Sequence, residues 1–344
     1  MKVSNKDGYE KMQEKMYGQE QQDKQKEVTD SFVEKLTGIH NNECNFFEYF
    51  QNVPGYPIPK AYYLEKFDPK KDQNGVIFME DLSGAAKALR FVQTLKIEQV
   101  KKLVEHLASF HAYQLTYENP KWKGVFSKVQ TDPTTHQEMC KAIRNVKTYN
   151  NGLYAKQIEE LENIFFNHES AKYFIDGICD ELGIPKVVCH GDFHSNNILL
   201  KIDSDSNILN EVVSFVDFQA GSPALDLARL MASSVDAEIR RDLETFIFEF
   251  YMEKLTEAMA LKGKTPEFDV ENFKTAYEFA FIYQCHAAFM LPPYFSALCQ
   301  SEKNTNRKSI VEAEIAKLEL RGRLALEDTQ KIVKKHESHW TLKI

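Results

Sequence analysis

Two short, mainly apolar runs stand out within residues 61–82. The runs AYYLEKF and GVIFMEDL are rich in aromatic and β-branched residues, and the polar turn DPKKDQNG separates them; this pattern predicts two strands. Upstream, Ile39, Phe46 and Phe50 recur at helical spacing, and Glu43 falls on the same face. We therefore expect a small sheet beside one helix that carries an acid on its apolar face.

Most of the remaining chain shows the apolar spacing of helices. Residues 100–115 follow the i, i+3, i+4, i+7 pattern, and we interpret His111 on that face as a hydrogen-bonded core histidine. A helical block over 156–182 stops at Gly183, a residue typical of helix C-termini. Further helices are predicted over 226–234, 238–260, 270–290 and 310–335.

The stretch HGDFHSNN (190–197) interrupts the apolar pattern with a dense set of polar side chains. It lies between KVVC and ILLKI, which predict short strands, and the run EVVSFVDF (211–218) predicts a returning strand. Asp192 and Asn197 are five residues apart, and Asp217 lies near the end of the returning strand. A hairpin would bring these three side chains to one rim.

Two carboxylates and an amide oxygen form a chemically informative set. Mg²⁺ with a triphosphate needs few hard oxygen ligands from protein, because water and phosphate supply the others. A second carboxylate is then left to accept a proton from a hydroxyl nucleophile. The loop therefore predicts a site for phosphate chemistry.

Composition narrows the class of protein. Lys and Arg total 43 against 51 Asp and Glu, for a net charge of −8, which disfavours a nucleic acid partner. The sequence shows neither an apolar leader at its N-terminus nor 18 consecutive apolar residues, so we expect a cytoplasmic protein without a membrane span.

Six scattered cysteines predict reduced, mostly buried thiols, with no disulfide and no structural zinc. Residues 9–30, nearly all charged or amide-bearing, predict a solvated helical insert.

Four stretches together resemble one known superfamily. HGDFHSNN is similar to the catalytic loop of kinases, VDFQ (216–219) to their DFG segment, MEDL (79–82) to their hinge, and HNNECNFFEYF (40–50) to the helix whose Glu pairs with the nucleotide-binding Lys. The chain therefore resembles the protein-kinase-like superfamily. Within it, the resemblance is to the choline and aminoglycoside phosphotransferase branch, in particular the CHK kinase-like group, which includes ecdysteroid kinase-like proteins and a nematode family of unknown function.

This resemblance implies a bilobal α+β protein-kinase-like fold. Residues 1–82 would form an N-terminally shortened small lobe that ends at the hinge, and 83–344 a large, mainly helical C-lobe. The implied activity is ATP- and Mg²⁺-dependent phosphate transfer to a hydroxyl group of a small molecule. The protein partners, if any, are unknown.

The resemblance also implies roles for individual residues. Asp192 would orient or deprotonate the hydroxyl, His190 would pack under the catalytic loop, and Asp226 would bond the loop backbone. The residues alone also allow Asp226 to cap its own helix, and the two roles are compatible. The metal ligands would be Asn197 and Asp217. The nucleotide-binding residues would be Lys2, Glu43, Glu80 and Leu82, with Lys2 paired to Glu43 unless Lys6 or solvent takes that place.

The glycine-rich loop is the main departure from this family pattern. No GxGxxG occurs in the sequence, and if Lys2 ends the third strand, nothing precedes it to cover the ATP phosphates. We expect either an N-terminally shortened chain or a pseudoenzyme, since losing the cover weakens phosphate positioning.

Two other interpretations compete with a small-molecule kinase. GDFH contains a fragment of a dinuclear metallophosphoesterase motif, but the further GDxxD and GNH ligands of such sites are missing from the sequence. A kinase-like pseudoenzyme or scaffold is the stronger alternative, although it has no need for three clustered metal-type ligands.

The substrate is not set by the sequence. Two Trp residues disfavour an aromatic box for a quaternary amine. The aromatic-rich stretch 276–295 is typical of a core helix, and the alternative is an apolar pocket with Tyr283 and His286 as candidate lining residues.

Overall fold

A computed structural model describes residues 1–5, 22–118, 120–126, 131–201, 211–213, 219–300 and 305–337. Asp217, most of the VDFQ motif and residues 9–21 of the predicted insert lie outside these ranges. The described part is a mixed α+β structure, as expected. Its strands are β1 (Lys2–Ser4), β2 (Ala61–Glu65), β3 (Gly75–Met79), β4 (Ala86–Ala88), β5 (Val187–Cys189), β6 (Ile198–Lys201), β7 (Glu211–Val213) and β8 (Gln219–Gly221).

Helices make up most of the described chain after β4. The helices are α1 (Gln22–Phe50), α2 (Ile97–Thr116), α3 (Pro133–Val146), α4 (Ala155–Glu160), α5 (Glu162–Phe165), α6 (His168–Lys172), α7 (Ile178–Leu182), α8 (Leu225–Ser234), α9 (Ala237–Leu243), α10 (Ile247–Ala260), α11 (Val270–Gln284), α12 (His286–Phe289), α13 (Leu291–Gln300) and α14 (Thr305–Lys335). A π-helical turn (Tyr173–Gly177) and short 3₁₀ turns (Pro69–Lys71, Tyr149–Gly152, Ser195–Asn197) complete them. No helix of the described ranges is both long enough and apolar enough to cross a membrane.

The N-terminal sheet has three antiparallel strands in the order β1-β3-β2. The two predicted strands are present as β2 and β3, and β1 adds to the free edge of β3 with Lys2 opposite Ile77. Ile77 is completely buried. The register therefore places Lys2 beside the central buried position of the sheet.

Helix α1 connects this sheet to the helical part through aromatic side chains. Phe46 and Phe50 are completely buried, and both pack on Phe110 of α2, with ring centroids 5.9 and 5.1 Å away. Tyr56, in the Pro-rich turn after α1, stacks on the same ring at 4.5 Å. Burial of such rings is a large stabilising contribution, so it fixes the end of α1. The predicted division at residue 82 stays a prediction.

The strands on either side of the HGDFHSNN loop belong to different small sheets. β5 pairs with β8, with Val188 opposite Ala220, whereas β6 pairs with β7 and β4, with Ile198 opposite Val213. The predicted hairpin is thus β6–β7. β4 and β8 are strands that the sequence pattern did not predict, because three residues are too few to show a period.

Several predicted helices are interrupted. The blocks 238–260 and 270–290 each divide into two helices, and the block 156–182 contains α4 to α7 and the π-helical turn. The end of the last block is as expected: Gly183 has a left-handed φ of 65°, and its amide donates to Cys179. His111 is completely buried and shares a hydrogen bond of 2.8 Å with Tyr251, which confirms its interpretation as a core histidine.

All six cysteines are buried as free thiols. One hydrophobic cluster runs from Cys44 in α1 to Leu326 in α14, and it includes Phe193 inside the polar loop. The loop is therefore anchored in the core by its own apolar side chain.

Candidate active site

The backbone of the loop is held by one buried carboxylate. Asp226 Oδ2 accepts from the amide of His190 at 2.7 Å, and Oδ1 accepts from the amide of Gly191 at 2.9 Å. Gly191 has a positive φ of 82°, a conformation that favours glycine. Burial raises the pKa of Asp226 to about 6, and the two amide donors oppose that rise.

Asp226 is the second residue of α8, so the alternative that it caps this helix is wrong; Ala224 occupies the N-cap. Its carboxylate instead turns towards the loop. His190, which is completely buried, packs against Phe193 with ring centroids 5.4 Å apart. His190 thus supports the loop from within. A catalytic role for His190 stays a prediction.

The Asp192 carboxylate receives hydrogen bonds from three side chains. Its Oδ1 lies 2.5 Å from Arg229 Nη2, and its Oδ2 lies 3.0 Å from Asn197 Nδ2 and 3.2 Å from His194 Nε2. The amide of Asn196 donates to His194 Nδ1 at 3.2 Å, which leaves the proton of a neutral His194 on Nε2. His194 is therefore a donor to Asp192.

These donors set the charge of Asp192. Burial opposes ionisation of the carboxyl, but Arg229 and then His194 hold its pKa well below its usual range. Asp192 is a permanently charged group at neutral pH. It is better suited to orienting a hydroxyl than to removing a proton from it, because a weakly basic carboxylate is a poor general base.

Asn197 is arranged to offer one oxygen. Its Nδ2 donates to the Asp192 backbone oxygen as well as to the carboxylate, both at 3.0 Å. Within the described ranges, Asn197 Oδ1 receives no hydrogen bond. An amide oxygen fixed through its nitrogen is a suitable ligand for a hard cation such as Mg²⁺.

The predicted second metal ligand, Asp217, lies outside the described residues. Among the residues that are described, no group of three or more His, Cys, Asp or Glu side chains could hold a metal ion. The described geometry fits one amide ligand for Mg²⁺, and the full ligand set stays a prediction.

Lys2 and Glu43 form the ion pair that the resemblance implied. Lys2 Nζ donates to Glu43 Oε1 at 2.6 Å, and the two residues are 41 positions apart. The Glu43 side chain is 7% exposed and that of Lys2 is 42% exposed. Burial raises the pKa of Glu43, and the nearby lysine opposes this rise. A role of the Lys2–Glu43 pair in nucleotide binding stays a prediction.

The predicted hinge residues make backbone contacts within the chain. The amide of Glu80 donates to Lys60 at 2.8 Å, and the Leu82 carbonyl accepts from Ala85 and Ala86 at 2.9 Å. The Leu82 carbonyl is thus already engaged by a turn. Contact of Glu80 or Leu82 with a nucleotide stays a prediction.

Arg229 is the site residue that the sequence interpretation missed. It lies on α8, three residues after Asp226, in the otherwise mainly apolar segment LDLARLMASS. A single arginine in such a segment was the available signal, since a buried arginine requires a partner. Its partner Asp192 is 37 residues away, so only the tertiary structure identifies the pair.

His286, a candidate lining residue, is close enough to interact with this pair. Burial, with a smaller contribution from Arg229, lowers its pKa to about 4, and the Tyr283 carbonyl and Asp192 act in the opposite direction. Its Nδ1 lies 2.5 Å from the Tyr283 carbonyl oxygen, so Nδ1 carries the proton. The other candidate, Tyr283, is 8% exposed and belongs mainly to the core.

An aromatic wall borders the carboxylate on its His194 side. We use this name for Phe91, His194 and Phe295, whose ring centroids are 4.8 Å apart for the first two and 6.0 Å for Phe91 and Phe295. Phe91 and Phe295 are each partly exposed. The wall offers a flat apolar surface beside Asp192.

A separate cavity of about 530 Å³ lies beside β5. Trp122, Tyr117, Phe126, Val188 and Ala220 are among its lining residues. None of the predicted site residues that the structure describes lines it, although Val188 is two residues before His190. The described lining is therefore distinct from the described residues of the Asp192 site.

A family model covers nearly the whole chain. The model described as DUF1679, "Uncharacterized oxidoreductase dhs-27", matches residues 1–337. The chain is 24% identical over 275 residues to the Caenorhabditis elegans protein "Uncharacterized oxidoreductase dhs-27", in a match that covers 76% of this chain and 32% of that protein. It is 25% identical over 238 residues to the C. elegans "Uncharacterized kinase-like protein D1044.1", covering 64% of this chain and 58% of that protein.

These relatives are longer than the matched region. The chain spans about a third of the first and under three fifths of the second. Among solved structures, a choline kinase from Cryptosporidium parvum is similar, with 13% identity, a TM-score of 0.46, and coverage of 85% of this chain and 78% of that one. The match to the C. elegans protein that is named kinase-like confirms the expected similarity to kinase-like proteins.

Proposed function

We propose that this chain, which belongs to the DUF1679 family, is an ATP- and Mg²⁺-dependent phosphotransferase that acts on a hydroxyl group of a small molecule. The observation that carries the proposal is the contact between Asn197 Nδ2 and the Asp192 backbone oxygen at 3.0 Å. It fixes a cation ligand and an acceptor-orienting carboxylate on the same turn. Phosphoryl transfer depends mostly on positioning and charge neutralisation. Such a turn would supply a group that positions the acceptor and a ligand for the cation that neutralises charge.

In the proposed reaction the acceptor oxygen forms a new bond to the γ-phosphorus of ATP. The bond between that phosphorus and the β–γ bridging oxygen breaks, and ADP leaves with the electron pair. Asp192 orients the hydroxyl, whose proton is lost to water as the new bond forms. Asn197, and Asp217 as a further predicted ligand, would hold Mg²⁺, which neutralises phosphate charge when it is bound.

Lys2 and Glu43 support the nucleotide side of this proposal. The Lys2 side chain is 42% exposed while its partner is buried, so the ammonium group is held in place and still faces solvent. A fixed, accessible cation is what a nucleotide phosphate requires. The predicted contributions of Glu80 and Leu82 would come from the backbone near β3.

A pseudoenzyme that binds nucleotide weakly or not at all is the second candidate. The observation that favours it is the Leu82 carbonyl, which already accepts two backbone hydrogen bonds. The name oxidoreductase describes a relative of which this chain matches 32%, and the described residues of the Asp192 site offer carboxylate, amide and guanidinium groups that suit phosphate transfer.

Thermal unfolding with and without Mg²⁺-ATP separates the two candidates. A binder gains melting temperature by mass action, by a few degrees at ligand concentrations of about 100 times Kd. Release of ADP in a screen of hydroxyl acceptors then tests transfer. Asp192→Asn should stay folded with a lower melting temperature, because Arg229 loses its anionic partner. It should keep the nucleotide shift measured from its own melting temperature, and it should lose ADP release by about a hundred- to a thousand-fold. Full turnover in that variant would refute the proposal, and the absence of any shift in the wild-type chain would favour the pseudoenzyme.

A further inference from the structure

The Arg229 cluster has more hydrogen-bond donors than acceptors. We define this cluster as Arg229, Gln284 and His286. A guanidinium carries five N–H donors, and Arg229 uses two of them on described residues: Nη2 on Asp192 at 2.5 Å and Nη1 on Gln284 Oε1 at 3.5 Å. Among the described residues, Arg229 Nε and Gln284 Nε2 are buried without hydrogen-bond partners. Unfilled donors in this position require an acceptor.

The protonation states of the cluster also favour an anionic ligand over a cationic one. Arg229 offsets the single charge of Asp192, so the pair is close to neutral overall. His286 is uncharged at neutral pH and donates its Nδ1–H to the Tyr283 carbonyl, so its Nε2 is an acceptor, and the donors available to an anion are those of Arg229 and Gln284. A cationic acceptor molecule would meet the guanidinium, whereas an anionic one would meet unused N–H donors.

An acceptor molecule of this kind carries a hydroxyl group at one end and an anionic group at the other. The side chains around Asp192 indicate what kind of skeleton joins these two groups. His194, whose Nε2 lies 3.2 Å from Asp192 Oδ2, is part of the aromatic wall with Phe91 and Phe295. Arg229 lies at the other oxygen of the same carboxylate, Oδ1. A molecule with its apolar skeleton on the wall and its hydroxyl group at Asp192 would therefore have Arg229 as the neighbouring group for an anionic substituent.

We propose that the Arg229 cluster binds a carboxylate group of the acceptor, so that the substrate class is a hydroxy acid with a flat apolar skeleton and not an amino alcohol. The term acceptor rests on the proposed phosphotransferase function, but binding of the carboxylate does not. The three guanidinium donors that have no acceptor among the described residues, the side-chain exposure of 19% at Arg229 and the wall beside Asp192 carry this inference.

Two matched probes test it without nucleotide: 4-(hydroxymethyl)benzoate and 4-(hydroxymethyl)benzylamine, titrated at pH 7.5 and low salt by calorimetry or ligand-observed NMR. The carboxylate should bind at least about ten-fold more tightly than the amine, a difference of about 1.4 kcal/mol, and added salt should weaken it. Arg229→Gln should remove this preference. Arg323→Gln, at an exposed arginine of α14, is the matched control and should keep it.

Asp192→Asn provides a readout that a purely structural Arg229 would not give. Removing the competing carboxylate leaves Arg229 without its anionic partner, so affinity for the benzoate probe should rise several-fold while phosphate transfer is lost. This variant also keeps the test decisive if Arg229→Gln does not fold, as judged by circular dichroism.

Three results would overturn the inference: no binding of the benzoate by the wild-type chain, equal or tighter binding of the amine, or an unchanged preference in folded Arg229→Gln. Failure of the phosphotransferase proposal is recognised separately. It would appear as benzoate binding without any ADP release from Mg²⁺-ATP in the acceptor screen.

Discussion

Arg321 Nη1 donates a hydrogen bond of 2.7 Å to the backbone carbonyl of Phe91, although the two residues are 230 positions apart. The same nitrogen donates to the Ser233 carbonyl at 2.7 Å, and Nη2 pairs with Asp236 at 2.7 Å. Helix α14 therefore fixes the loop that carries one ring of the aromatic wall. The site depends on a helix that contributes no residue of the Asp192 hydrogen-bond network.

Arg321→Met should destabilise the protein by about 2–4 kcal/mol, because it leaves buried carbonyl groups without donors and removes a buried charge from its partner. Urea unfolding measures the change. Lys317→Met is the matched control, since Lys317 pairs with the same Asp236 at 2.9 Å but is 41% exposed; its effect should stay below about 1 kcal/mol. Equal effects of the two substitutions would contradict this account.

Gln114 connects α2 to the strand that leads into the loop. Its carboxamide donates to the Val188 carbonyl at 3.1 Å and accepts from the Val188 amide at 2.6 Å, and all these groups are buried. Gln114→Glu replaces the donor by an acceptor, so it should cost about 1–3 kcal/mol at neutral pH.

Protonation of the carboxyl group that Gln114→Glu introduces restores a donor. The folded state would raise the pKa of this carboxyl, so the stability deficit of the variant relative to wild type should shrink as the pH falls towards 5. Gln114→Leu is the control, because it loses both hydrogen bonds and its deficit should not change with pH. A deficit of Gln114→Glu that is constant between pH 8 and pH 5 would contradict the proposed geometry.

His111 makes the stability of the fold depend on pH. Burial lowers the pKa of His111 to about 3, whereas the unfolded chain has the ordinary value of 6.5. Between these values the unfolded state binds a proton that the folded state excludes, so stability is lost as the pH falls below 6.5. The loss from this one residue should be about 1.4 kcal/mol between pH 7.5 and pH 5.5.

His111→Gln should flatten the dependence by that amount. The carboxamide of the variant retains a polar group for the Tyr251 hydroxyl and does not titrate. Urea unfolding of both proteins at the two pH values measures the difference. A wild-type slope that His111→Gln leaves unchanged would assign the dependence to other histidines, such as His40 and His136, whose pKa values burial also lowers.

Lys2→Met, compared with a double variant, separates the role of the Lys2–Glu43 pair in stability from its proposed role in nucleotide binding. Loss of Lys2 leaves the buried Glu43 without this cation and should cost about 1–2 kcal/mol, less than for a completely buried pair. The double variant Lys2→Met with Glu43→Gln removes the buried charge, so stability should return while the Mg²⁺-ATP shift stays reduced. A normal shift in the double variant would rule out Lys2 as a nucleotide contact.

Local patterns in the sequence were sufficient for the longer elements. The apolar period of residues 100–115 predicted α2 with His111 inside, and the glycine at 183 marked the end of a helical block. The runs around residues 61–82 predicted β2 and β3. These features depend on neighbours a few residues away, so spacing alone carries the information.

The spacing of apolar residues did not predict the shorter strands or the breaks within helices. The breaks within 238–260 and 270–290, and the three-residue strands β4 and β8, depend on packing against distant segments. Spacing cannot indicate them, because both halves of a broken helix keep the same apolar period.

The sequence by itself determined the chemical content of the site: a loop with Asp192 and Asn197, and an acid and a base in Glu43 and Lys2. Only the tertiary structure decided how these groups are charged and held, because Arg229 reaches Asp192 from 37 residues away. The physical reason is that ionisation and orientation depend on burial and on donors brought from distant helices, which no local pattern of residues contains.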